Sequence, residues 1–90
     1  MKVRYSDQSV KDLKGFNGAD RTLIAKKIHY LADNFEKLKQ TKKVRELQGT
    51  KYPGQYRYTI ARKIRAIFRI EDNAIVMLIL RVGLRKNIYD

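Results

Sequence analysis

The spacing of apolar residues along this 90-residue chain changes near residue 44. Before that point it is helical. Ile24, Ile28, Leu31, Phe35 and Leu38 recur at intervals of four, three, four and three, as on one helical face laid on a core, and they predict a helix beginning near Asp20. A shorter helix precedes it, with Val10, Leu13 and Phe16 as its stripe. Ser6-Asp7-Gln8-Ser9 supplies its capping side chains and Asn17-Gly18 its break. Lys2 to Tyr5 alternates polar and apolar and reads as a short edge strand.

From Val44 onward the period is two. Residues 44–48, 56–62, 64–71 and 74–82 read as strands, the last two joined by a tight Asp72-Asn73 hairpin turn. In the 64–71 run Ile64, Ala66, Phe68 and Ile70 share one face and Arg65, Ile67, Arg69 and Glu71 the other. One face is therefore expected on the helices and the other outward with arginines. The final run is apolar on both sides, Val76, Leu78 and Leu80 against Ile75, Met77 and Ile79, as suits a central strand. The expected fold is α+β: a two-helix antiparallel hairpin packed on a small twisted, mainly antiparallel sheet. Its order is β-α-α-β-β-β, one strand fewer after the hairpin than the four runs marked by the period.

Composition narrows the function. A chain of this length is expected to form one domain, residues 1–90, burying roughly two-thirds of the surface its unfolded form exposes. Twenty-one Lys and Arg against nine acids leave a net charge of +12, which attracts polyanions: nucleic acid, an anionic membrane or an acidic protein. Zero cysteines exclude a disulfide framework and a thiolate zinc site. The chain shows neither an apolar signal segment nor a run of 18 apolar residues, so a cytoplasmic protein without membrane attachment is expected.

The charge is concentrated. From Thr41 to Arg65 there are eight basic residues (Lys42, Lys43, Arg45, Lys51, Arg57, Arg62, Lys63, Arg65) and the single acid Glu46, a net +7. Tyr52, Tyr56 and Tyr58 are interleaved with them, an arrangement suited to stacking unpaired bases while arginines hold the backbone, so single-stranded RNA fits better than duplex DNA. A second concentration closes the chain: Arg81-Val82-Gly83-Leu84-Arg85-Lys86-Asn87-Ile88-Tyr89-Asp90 follows the buried strand and delivers cations and a tyrosine to one exposed end. Any chemistry here falls to Arg, Lys and Tyr, with no metal or other cofactor expected. The helix lysines Lys26, Lys27, Lys37 and Lys39 read as solvated surface, and His29 as structural or surface. The 49–54 loop reads as a turn. Tyr89 is equally well explained as a residue that closes the core.

The segments Glu46-Leu47-Gln48-Gly49, Gln55-Tyr56-Arg57-Tyr58, Ile64-Arg65-Ala66-Ile67-Phe68 and Val82-Gly83-Leu84-Arg85-Lys86-Asn87-Ile88-Tyr89 resemble the RelE/ParE toxin superfamily. The resemblance runs along nearly the whole chain, and its most specific part is the closing Gly-x-Arg-Lys-x-x-Tyr. It implies a toxin of a type II toxin-antitoxin pair. The RelE branch cuts messenger RNA in the ribosomal A site, the ParE branch poisons DNA gyrase, and the closing segment is more similar to the RelE side. A noncatalytic RNA-binding homologue is the third reading.

By that resemblance Arg65 and Arg85 hold the scissile phosphate, and Tyr89 stacks on a base or assists proton transfer. Lys63 joins them as a catalytic candidate, and Arg57, Arg62, Lys51, Lys86, Tyr56 and Arg81 are expected to grip RNA. A lysine crowded by arginines becomes a better base, which points to Lys63 and Lys86. Many relatives carry His where this chain has Leu84, which cannot shuttle a proton, so activity is expected to depend on the ribosome. The implied partners are mRNA on the ribosome, an acidic RelB-like antitoxin that folds over the arginines, and operator DNA only through that antitoxin.

Overall fold

The structure, a computed structural model, describes residues 1–49 and 54–88. Lys51, Tyr52 and Tyr89, expected at the RNA site, lie outside them. The elements run β1 (Lys2–Tyr5), α1 (Asp7–Lys14), α2 (Gly18–Asp33), α3 (Phe35–Leu38), β2 (Val44–Glu46), β3 (Gln55–Thr59), β4 (Ile64–Glu71) and β5 (Val76–Leu84). Each of the four period-two runs contains a strand, but the 44–48 run stops at Glu46, the 56–62 run at Thr59, and the 74–82 run is shifted to Val76–Leu84. The sheet is five-stranded in the order β1-β5-β4-β3-β2, with β1 parallel to β5 and every other pair antiparallel. Three helices therefore carry the chain across one face, from the β1 edge to the β2 edge.

Local chemistry sets the boundaries. Ser6 caps α1 by accepting from Ser9 N, and Asn17 caps α2 by accepting from Asp20 N. The helix expected to run on through Leu38 stops at Asp33. Asn34, with φ −130°, interrupts it, and the short α3 restarts beyond. Phe35 and Leu38 still reach the core from this second piece, so the apolar spacing survives a break that it does not register.

The core lies between the helices and one sheet face: Ile24, Ile28, Leu31, Phe35 and Leu38 meet Val44, Tyr58, Ile64, Ala66, Phe68, Met77, Ile79 and Val82. Tyr58 is 2% exposed, and burial holds its hydroxyl above the ordinary tyrosine pKa, with Tyr30 adding to the shift. A bulge places the last of these residues. Ile67 pairs with Arg81 but Phe68 pairs with Ile79, so Leu80 is the extra residue in β5. Strict alternation from Met77 and Ile79 would send Arg81 into the core. The bulge shifts the phase, buries Val82 and turns Arg81 to the opposite face.

β1 accompanies β5 only from Val76 to Ile79. Beyond that point α1 takes over the open edge. Ser6 Oγ donates to Leu80 O (2.9 Å), and the Asp12 carboxylate accepts from Val82 N (2.9 Å) and from Arg81 Nε (2.9 Å) and Nη2 (3.3 Å). Burial alone would raise the Asp12 pKa. Hydrogen bonds from Arg81, Val82 N and Gln8, with the charge of Arg81, outweigh it and hold the carboxyl below the ordinary aspartate value.

Two predictions concern stability. Asp12→Ala removes the carboxylate that accepts from Val82 N and from Arg81, and lowers the unfolding free energy at pH 7 by about 1–3 kcal/mol in urea titrations. Because the folded-state pKa is depressed, this contribution is full above the unfolded aspartate pKa and disappears as pH falls through the folded one, so wild type and variant converge in acid. The second lies in the β4–β5 turn, where Asp72, Asn73 and Ala74 all have positive φ (54°, 54° and 69°), in place of a two-residue turn. Ala74→Gly relieves the left-handed strain and, after the entropy cost of glycine, raises stability by about 0.5–1 kcal/mol in the same assay.

Candidate nucleic-acid interface

Strand registry assembles the site on the sheet face away from the core. Arg45 stands opposite Arg57, Arg57 opposite Ile67, and Ile67 opposite Arg81, so one lateral row crosses four strands with three arginines in it. The next row holds Thr59, Arg65 and Gly83. Like charges directly opposite one another on a sheet are destabilising, which makes Arg45 and Arg57 an unfavourable pair in the isolated protein. Arg57 Nε is moreover buried without a hydrogen-bond partner among the described residues.

Among the described residues two ion pairs lie at the margins of the face. At one end of the face Arg69 Nε pairs with Glu71 (2.7 Å), and at the β5 edge Arg81 pairs with Asp12 (2.9 Å). Arg65 donates through Nη1 to the carbonyls of Ala61 (2.8 Å), Arg62 (3.1 Å) and Ile64 (3.2 Å). This bonding pins the β3–β4 connection that carries Arg62 and Lys63. Arg65 is thus an organiser of the site in addition to its expected role at the phosphate.

The C-terminal segment folds back at the end of β5. Arg85 N donates to Lys63 O (2.7 Å), while Asn87 N and Ile88 N both donate to Leu84 O (2.9 and 3.0 Å). Ile88 is 3% exposed and packs where a Cβ on Gly83 would point, 3.6 Å from its nearest atoms. Lys63, Arg85 and Lys86 are brought together with Leu84 around a cavity of about 490 Å³. A larger cleft of about 670 Å³ adjoins it, sharing Lys63 and Leu84 and reaching Phe16, Asp20, Val82 and Ile88.

Lys63, Arg85 and Lys86 thus line the smaller cavity and Lys63 and Arg81 the larger, while Arg57 shares its lateral row on the sheet with Arg81 and Arg62 sits on the β3–β4 connection. Two aromatic expectations are corrected. Tyr56 belongs to the helix side, its ring stacked on Phe68 at 5.4 Å and edge-on to Phe35 at 5.4 Å, and Tyr58 is buried in the core. Both rings face the helix side, Tyr58 buried and Tyr56 half-buried, because the alternation that turns Arg57 outward turns its two neighbours inward. Asp12 and Arg45 were missed as parts of this region. Arg45 was legible from the same alternation, whereas a lone helical aspartate gives no sequence signal of a contact 69 residues away. No group of three His, Cys, Asp or Glu side chains among the described residues is placed to hold a metal ion, and none of their helices is long and apolar enough to cross a membrane.

The architecture is similar to known toxins. It matches the toxin-antitoxin complex RelBE2 from Mycobacterium tuberculosis with TM-score 0.77 and 19% identity, over 93% of this chain and 96% of that one. The archaeal RelE-RelB complex from Pyrococcus horikoshii OT3 matches with TM-score 0.68 and 24% identity, over 96% of each chain. The heterotetrameric YoeB-YefM toxin-antitoxin complex from Staphylococcus aureus matches with TM-score 0.69 and 23% identity, over 94% and 97%. At such identities the likeness speaks to the fold. None of the curated proteins matches this chain by sequence. Residues 3–89, however, match the family described as ParE toxin of type II toxin-antitoxin system, parDE. With that match over almost its full length, the chain belongs to the ParE toxin family, within the RelE/ParE superfamily of type II toxin-antitoxin toxins.

Proposed function

We propose that this toxin is a metal-independent, ribosome-dependent endoribonuclease that cuts messenger RNA in the A site and acts in the cytoplasm. The observation that carries the reading is the arginine row, in which Arg45 and Arg57 stand directly opposite one another and Arg57 Nε has no acceptor among the described residues. A surface built this way is unfavourable alone and favourable against a phosphate backbone. In the proposed reaction the 2′-hydroxyl attacks the adjacent phosphorus and loses its proton. The bond to the 5′-oxygen breaks, and that oxygen receives a proton, leaving a 2′,3′-cyclic phosphate and a 5′-hydroxyl end.

Arginine side chains neutralise the charge that builds on the phosphorane oxygens, Arg65 and Arg85 at the scissile phosphate and Arg57, Arg62 and Arg81 along the strand. Lys63, Lys86 and Tyr89 are the groups proposed for proton transfer. The ribosome supplies the alignment of the message that a site without a histidine cannot impose. An acidic antitoxin neutralises the toxin by covering the arginine row, and operator DNA is reached through that antitoxin.

The family match itself favours a second reading, gyrase poisoning of the ParE type. Primer extension on a defined message in a purified translation system separates the two. Ribosome-dependent A-site cuts that fall by about 10²–10³-fold in Arg85→Ala support the nuclease. An intact message together with accumulation of gyrase-linked DNA breaks overturns it. Arg57 gives an internal control: Arg57→Leu removes a buried unsatisfied donor and a like-charge pair, so cleavage falls at least tenfold while urea-unfolding stability is unchanged or rises.

A further inference from the structure

We infer that Asp12 is a built-in competitor for the anion that the arginine row receives: its carboxylate occupies Arg81 in the free toxin, and a phosphate of a bound strand must displace it there. The inference deepens the nuclease reading and rests on it for the identity of the polyanion, a single-stranded message.

Arg81 belongs to the lateral row that also holds Arg45 and Arg57. Its guanidinium donates through Nε (2.9 Å) and Nη2 (3.3 Å) to the two oxygens of Asp12. That is the fork by which an arginine takes a phosphate, so carboxylate and phosphate contend for one edge of the same group. The pair is uneven in exposure, the Arg81 side chain at 38% and that of Asp12 at 10%. A strand arriving over the sheet face therefore meets the guanidinium, while the carboxylate that holds it is nearly covered.

Asp12 can release Arg81 without losing its own place. Its Oδ2 also accepts from Val82 N (2.9 Å) and its Oδ1 from Gln8 Nε2 (3.1 Å), bonds that do not involve the guanidinium. Burial opposes its ionisation, but the hydrogen bonds from Arg81, Val82 N and Gln8 keep the carboxyl below the ordinary aspartate pKa, so at neutral pH it opposes any phosphate beside it. The Arg69–Glu71 pair is of another kind: both side chains are exposed, at 47% and 37%, and solvent screens them. The contest at Arg81 makes binding selective. A lone anion gains little by displacing a charge-assisted contact, whereas a strand already anchored at Arg45 and Arg57 presents its next phosphate at high local concentration.

A short single-stranded deoxyoligonucleotide lacks the 2′-hydroxyl nucleophile and stays uncut, so its affinity at several salt concentrations tests this directly. Asp12→Asn keeps an acceptor for Val82 N and removes the charge. It is expected to bind roughly three- to tenfold more tightly at low salt, with log affinity falling more steeply against log salt by about 0.7. In an Arg81→Gln background the same substitution changes neither quantity, and Asp33→Asn, at the C-terminal end of α2, leaves the slope as in the wild type. Unchanged or weaker binding by folded Asp12→Asn overturns the competitor, as does an equal gain in the Arg81→Gln background. The wild type supplies a check that needs no variant: its Arg81 Nε–H resonance shifts as oligonucleotide is added, and a resonance that stays fixed at saturation overturns the inference as well. A toxin that shows this exchange yet leaves messages intact refutes the nuclease and spares the competitor. One that cuts messages in the A site, with no gain in Asp12→Asn, refutes the competitor alone.

Discussion

The candidate site depends on how the second half of β5 is held. Its first half has strands on both sides; its second half loses β1 and would expose backbone groups to solvent or to another chain. The Asp12 carboxylate substitutes for the missing strand, binding a backbone N–H and the adjacent guanidinium together. With Ser6 on Leu80 O, it fixes the bulged segment from which Arg81, Gly83 and Leu84 are presented. A helix of eight residues thereby acts as a side-chain edge for the sheet.

The core and the arginine row draw on opposite faces of the same strands. On β4 the inward residues Ala66 and Phe68 are fully buried, while Arg65 and Arg69 stand on the reverse face. The apolar side supplies the free energy that lets three arginines share one row on the other. Among the described residues the acidic partners of this face are Glu71 at one end and Asp12 at the edge. The charge that makes the face attractive to a polyanion also weakens the free toxin, and any polyanion or acidic protein that binds there stabilises it.

Much of this was legible in the sequence. The boundaries of β4 follow from its alternation, and the stripe from Ile24 to Leu38 locates the helical core residues. The break at Asn34 escaped because apolar spacing is blind to a cap that preserves phase. The bulge at Leu80 escaped because β5 is apolar on both faces and offers no polar marker of register. The tyrosines were misplaced for a related reason, since interleaving with arginines along the chain means opposite faces in a strand. The parallel β1–β5 pair and the reach of Asp12 are long-range contacts, and local pattern does not encode them.

The same long-range contacts bear on when the toxin becomes dangerous. Lys2 pairs with Val76, Ser6 bonds Leu80 and Asp12 bonds Arg81, joining residues 69 to 74 positions apart. Contacts this distant in sequence form late, because the chain must be closed into a large loop before any of them contributes. During synthesis the helices and β2 emerge first and have no sheet to cover. The arginine row does not exist as a surface until β4 and β5 have left the ribosome, so a nascent chain does not present it for most of its translation. An inhibitor that recognises the folded face must wait for that moment, whereas one that recognises an extended segment can engage earlier.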